Sequence, residues 1–231
     1  MLAPVEFVNK GNLMEYIKTI FPAIMQGSII SLKLFAITLI FSLPLGLPIC
    51  LGENSKIAPL RWICKIFVFV FRGTPLMLQL FFFYFFFPIQ LGIKMEAFQA
   101  ASITFILNYA AYFAEIYRGG IAGIDNGQYE AAYSLGLSKR DTLFDIVLPQ
   151  TFKVVLPPIS NEVIVLIKDT ALASAIALAD IMRVSARIVN RDGTLIAYIV
   201  AAIIYLVFTF IITTLLSKAE KRFSRYERME A

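Results

Sequence analysis

Glu130-Ala131-Ala132-x3-Gly136-x9-Ile146-x-Leu148-Pro149 is the stretch whose reading decides the fold of this chain. It is polar and helix-prone, yet it lies between segments apolar enough to cross a bilayer. Asp125-Asn126-Gly127 is a turn and helix-start signal, and Gln128 to Leu135 is rich in helix formers. Gly136 stops that helix, because glycine enters the left-handed conformation without a Cβ clash. Ser138, followed by Asp141 at capping-box spacing, opens a second helix, which Leu148-Pro149 is expected to close. The expectation is a helical hairpin over about 125–150, held in water.

Outward from the hairpin the solvent changes. The chain is 59% apolar, with 21 phenylalanines and a mean hydropathy of +0.76, above the roughly 45–50% apolar share of soluble domains. A hydrocarbon layer of about 30 Å takes roughly 20 residues to cross. Apolar runs of that order lie near Ile24 to Leu51, Ile63 to Phe87, Phe98 to Tyr117, Val154 to Ile181 and Leu195 to Leu216. The run from Ala171 to Ile181 alone suits a short or re-entrant segment better than a crossing. The predicted fold class is all-α and integral to the membrane, with about five transmembrane helices in a single domain, 1–231.

Lysine and arginine are retained on the cytoplasmic side, which orients the chain. With the amino terminus outside, the inner set is Lys56, Arg61, Lys65, Arg118, Lys139, Arg140, Lys153, Lys218, Lys221, Arg222, Arg225 and Arg228. The outer set is only Lys10, Lys18, Lys94, Arg183, Arg187 and Arg191. This bias puts the hairpin and the carboxyl terminus in the cytoplasm of a multi-pass protein. The net charge of +5 then faces membrane lipid, not nucleic acid. Glu6 and Glu15 interrupt Met1 to Phe21, so no cleavable signal is expected there.

Histidine is absent, which removes the common imidazole base and every triad built on it. Cys50 and Cys64 are too few for a zinc site or a disulfide framework, so no metal ligand set and no catalytic residue is expected. A Walker A loop is missing as well, so the chain should not hydrolyse ATP and should not be an enzyme.

The spaced residues of the hairpin resemble the cytoplasmic EAA loop of ATP-binding cassette (ABC) importer permeases. Further motifs follow in order: Phe71-Arg72-Gly73-Thr74-Pro75-Leu76, Ala114-Glu115-Ile116-Tyr117-Arg118-Gly119-Gly120, Asn161-Glu162 and Lys168-Asp169-Thr170. Together they are similar to the polar amino acid branch, which includes histidine, glutamine and arginine permeases. The resemblance runs from roughly Phe21 to Arg222. It implies a type I importer fold in a bacterial inner membrane and a second permease copy or homologue. It also implies two ABC ATPase subunits that hold ATP and Mg, and an extracytoplasmic amino acid binding protein. In such an assembly Glu130, Ala131, Ala132, Gly136 and Leu137 form the grip on the ATPase: small residues permit close approach, and glycine permits the reversal.

Charged groups inside a membrane cost about 2.5–3.5 kcal/mol each on insertion scales and usually have a purpose. Thr104, Asn108, Tyr112 and Glu115 recur at steps that line one helix face. With Gln79 and with Lys168, Asp169 and Thr170, they offer a zwitterion carboxylates, amides and hydroxyls. Glu115 and Asp169 suit an ammonium or guanidinium, which favours a cationic amino acid. Two readings stay open: these residues line the substrate pathway, or Lys168 and Asp169 pair with each other or with helix ends while Glu115, with Arg118, lies near the cytoplasmic boundary where charge costs little. Arg72, Gly73 and Pro75 mark a bend that is either a hinge or a static kink. The rival function is an ion-coupled secondary transporter or channel, in which Glu115 and Asp169 carry the ions.

Overall fold

Helix is the only regular structure among the described residues. It is the form in which a segment surrounded by lipid satisfies its own backbone groups. The structure, a computed structural model, describes residues 13–224; Lys10, Arg225 and Arg228 of the charge comparison lie outside the described residues. Helices α1 (Leu13–Glu53) and α9 (Ile196–Ser224) are both long and apolar enough to span a bilayer. The apolar run predicted at Ile63–Phe87 is divided between α2 (Ala58–Gly73) and α3 (Leu76–Leu91), of 16 residues each. Thr74 and Pro75 separate them in extended conformations, with ψ of 146° and 133°. Proline accounts for the break, since it has no N–H to donate and drives the preceding residue out of helical geometry.

Helices α4 (Ala97–Ala122, 26 residues) and α7 (Leu148–Asp169, 22 residues) rise about 39 Å and 33 Å, enough for the hydrocarbon layer. Their composition is too polar to mark them as spans by hydropathy and length alone. One expectation is corrected here. Leu148-Pro149 does not close the second helix of the hairpin, because α6 (Lys139–Asp141) leads through a π-helical turn, Thr142–Val147, directly into α7. The widened turn, in which the Leu148 N–H reaches the Leu143 carbonyl, accommodates a proline that would otherwise clash with a regular α-turn. The run from Val154 to Ile181 divides near the short segment expected from Ala171. Asp169 ends α7, Thr170–Ile176 tightens into a 3-10 turn, and Ala177 reverses the chain at φ 64°.

Asp180 then caps α8 (Ile181–Asp192), accepting the Arg183 N–H at 2.8 Å. Arg183, Arg187 and Arg191 of the outer set stand at four-residue steps on an amphipathic helix that buries Ile181, Ser185 and Ile188. At its end Tyr16 donates to Asp192 at 2.7 Å, and the Arg191 guanidinium beside Asp192 holds that carboxyl below the usual carboxylate range.

The chain divides into two compact units, and α1, α4, α7 and α9 each contribute to both. One comprises the described part of Met1–Leu39, with Pro75–Ile106 and Ile164–Ile212. Its core joins Ile20 and Ile24 of α1, Ile181 and Ile188 of α8, and Ala197, Val200, Ala201 and Ile204 of α9. The other comprises Ile40–Thr74, Leu107–Val163 and the described part of Thr213–Ala231. Its core joins Cys50 of α1, Val68 of α2, and Ala111 and Ala114 of α4.

Candidate functional site

The hairpin is built by side-chain and backbone caps that its sequence spells out. Asp125 accepts the Gly127 N–H at 2.6 Å and starts α5 (Asn126–Ser134). At the other end the Leu137 N–H reaches the Ala132 carbonyl at 3.1 Å and the Gly136 N–H the Tyr133 carbonyl at 3.0 Å. With Gly136 at φ 75°, this is a Schellman closure. Ser138 accepts the Asp141 N–H at 3.2 Å and donates to the Asp141 carboxylate at 2.6 Å, capping α6. Gln128 and Gln150 tie the two arms at 3.0 Å.

Burial sorts the residues expected to grip a partner. Glu130, Ala131, Gly136 and Leu137 are exposed, whereas Ala132 is buried and packs within its own unit. The most exposed large apolar side chains on the hairpin lie outside that set: Tyr133 is 84% exposed and Leu135 79%. Tyr129 stands one turn before Tyr133 on α5, and Phe144 is exposed on the π-helical turn. The available signal was the tyrosine pair at i, i+4 in a nine-residue helix that has almost no apolar stripe of its own.

The polar residues divide between the units. Asn108, Tyr112 and Glu115 of α4 fall in the unit that also holds α2. There the Asn108 amide donates to the Phe71 carbonyl at 3.0 Å, close to the end of α2, where main-chain acceptors lose their helical partners. Glu115 accepts from Arg118 Nε at 2.9 Å and Nη2 at 2.5 Å, and Arg72 Nη1 lies 3.5 Å away. Arg72 also stands over the Tyr112 ring, 5.6 Å from its centre. Glu115 is thus held in an ion pair with Arg118 one helical turn on. Arg72 thus ties the segment just before Gly73 and Pro75 to α4.

Gln79, Lys168, Asp169 and Thr170 fall in the other unit. Gln79 is buried in the first turn of α3, and α3 packs against the 3-10 turn that Thr170 opens. Thr170 is fully buried and donates to the Ile167 carbonyl at 2.7 Å. Asp169 is half-buried and Lys168 exposed at the end of α7. A buried amide and a half-buried carboxylate are therefore carried by elements of one unit, at the place where α7 stops being an α-helix.

A helical chain with an exposed capped hairpin between long apolar helices can be compared with known proteins. Residues 42–225 match the family model of the binding-protein-dependent transport system inner membrane component. The chain belongs to that family. Its relatives include the L-cystine transport system permease protein TcyB of Bacillus subtilis, 39% identical over 90% of each chain. The arginine transport system permease protein ArtQ of Bacillus subtilis is 40% identical over 87% of this chain and 92% of its own. A putative glutamine transport system permease protein, GlnP, of Rickettsia bellii is 37% identical over 91% and 98%. Among solved structures, an amino acid ABC transporter crystallised with histidines superposes with a TM-score of 0.85 at 35% identity, covering 93% of this chain and 99% of its own. The MetNI methionine ABC transporter superposes with a TM-score of 0.68 at 14% identity, covering 91% of this chain and 97% of its own, which shows a shared fold.

Proposed function

We propose that this family member is the permease subunit of an ABC importer for polar amino acids, and that its hairpin is the handle through which separate ATPase subunits drive it. The single observation that carries this is the hairpin itself: a short, doubly capped element with Tyr133 and Leu135 almost fully in the open. Isolated apolar side chains on a surface need no partner, but two of this size, one near the end of a nine-residue polar helix and one at its cap, suit a groove on one. ATP and Mg belong to that partner. The working assembly is a pair of permease copies or homologues with two ATPases and an extracytoplasmic binding protein, in a bacterial inner membrane. Each permease crosses about five times as one functional domain, with its amino terminus outside and its carboxyl terminus in the cytoplasm.

Relatives named for cystine, arginine and glutamine do not choose among substrates. In this reading Asp169, carried in the same unit as Gln79 and Thr170, supplies the carboxylate for a cationic amino acid. In this reading Asn108 and Tyr112 serve the pathway by holding the end of α2, and Gly73 and Pro75 form the hinge.

Uptake of radiolabelled amino acids into vesicles carrying the whole complex tests both halves. Uptake should require ATP, and Tyr133→Ala with Leu135→Ala should reduce it on the order of tenfold or more, as loss of two buried interface anchors does. Uptake that follows an ion gradient without ATPase subunits would establish the rival transporter reading.

A further inference from the structure

In the unit that holds α2, a cavity of about 570 Å³ opens beside the end of α1. Glu53, Lys65, Arg72 and Arg118 contribute its polar wall, and Trp62 and Phe69 its apolar rim. We propose that this cavity binds the headgroup of a phospholipid bearing a primary ammonium beside its phosphodiester, the phosphatidylethanolamine class. The inference rests on the chain's place in a membrane and not on the amino acid reading.

Charge of both signs lines the cavity. Arg72 and Arg118 converge on the one carboxylate of Glu115, and Lys65 adds a third cation to the wall, so this part keeps an excess of positive charge. Such a cluster accepts a phosphodiester through charge-assisted hydrogen bonds. Glu53 is different. Its side chain is only 5% exposed, and its Oε2 accepts no hydrogen bond from the protein. A buried carboxylate oxygen without a donor is costly, and a primary ammonium, with three N–H groups, is a fitting partner.

A free amino acid carries the same pair of groups, an anionic oxyacid and an ammonium, so the rim decides the source. Trp62 is 62% exposed and Phe69 78% exposed at the mouth. Apolar side chains so placed suit acyl chains, and tryptophan favours the level of the headgroups. A quaternary ammonium has no N–H for Glu53, and a glycerol headgroup has no ammonium at all; both should be held less well.

Native mass spectrometry of the intact complex, purified with equal amounts of phosphatidylethanolamine, phosphatidylcholine and phosphatidylglycerol, reads this directly. Phosphatidylethanolamine should be retained about tenfold over phosphatidylcholine, the size expected of one charged hydrogen bond. Glu53→Gln should bring that ratio close to one. Lys65→Gln should lower retention of every phospholipid about threefold and leave the ratio unchanged, as loss of a single exposed contact does. Equal retention of the ethanolamine and choline lipids by the unaltered complex would overturn the proposal, whatever the variants do. Displacement of bound lipid by the same concentration of glycerophosphoethanolamine or of free lysine would overturn the lipid as the occupant.

Discussion

At Gly136 and at Ala177 a helix ends on a residue with positive φ, 75° and 64°, and each is followed within three residues by the cap of a new helix, Ser138 in one place and Asp180 in the other. The surroundings are opposite. A Cβ placed on Gly136 would meet nothing within 4 Å, and the residues around it stand in the open. Behind Ala177 the caps are enclosed: Asp180 is fully buried, the Ile181 N–H reaches Ser31 at 3.4 Å, and Gly27 of α1 lies against the Asp180 backbone. The exposed reversal is held by local chemistry and free to serve a partner. The enclosed one is held by packing and free to serve the interior.

The hairpin should show the larger functional effect. Gly136→Val puts a β-branched residue at positive φ, a conformation that costs roughly 1–2 kcal/mol or more for side chains with a Cβ. Because open space surrounds the site, the chain avoids the cost by re-forming the turn and moving α5. ATP-driven uptake should therefore fall about tenfold, while the thermal midpoint in detergent stays within about 2 °C. Gly136→Asn, which tolerates the left-handed region, should restore most of the uptake. Normal uptake with valine would mean that the turn does not position the handle.

The enclosed reversal should respond in the other currency. A Cβ on Gly27 would lie 2.8 Å from the Asp180 carbonyl oxygen and 3.0 Å from the Ile181 nitrogen, both main-chain atoms that a rotamer change cannot move. Overpacking of this kind costs about 1–3 kcal/mol. Gly27→Ala should lower the thermal midpoint by roughly 3–10 °C and leave co-purification of ATPase subunits unchanged. A midpoint within a degree of the parent would show that α1 and α8 do not approach so closely.

The same contrast explains what could be read from the chain. Asp125, Gly136 and Ser138 act on neighbours within a few residues, so the hairpin is legible from spacing. The polar stripe of α4 and the break at Pro75 are local in the same sense. Where the reading failed, the deciding contact comes from far along the chain or from a widened turn. Ser31 and Gly27 meet residues some 150 positions later, which no window of sequence displays. Pro149 signals a helix end in an α-ladder, but the π-turn before it removes the clash on which that signal depends. The i, i+3 spacing of Glu115 and Arg118 is local, whereas Arg72, which also approaches the Glu115 carboxylate, lies 43 residues away in sequence.

The smallest effect is the most discriminating, because it asks whether Ala177 is strained or merely placed. Left-handed geometry costs alanine about 1–2 kcal/mol, while glycine gives back about 0.5–1 kcal/mol through the greater freedom of its unfolded chain. Ala177 is exposed, so its methyl group contributes little packing. Ala177→Gly should then raise the thermal midpoint by about 1–3 °C with no change in uptake. A fall would mean that the enclosed reversal depends on the stiffness of alanine there: a turn held by packing from Gly27 and Ser31 would lose definition when its pivot is loosened, whereas the exposed turn requires its pivot to be glycine.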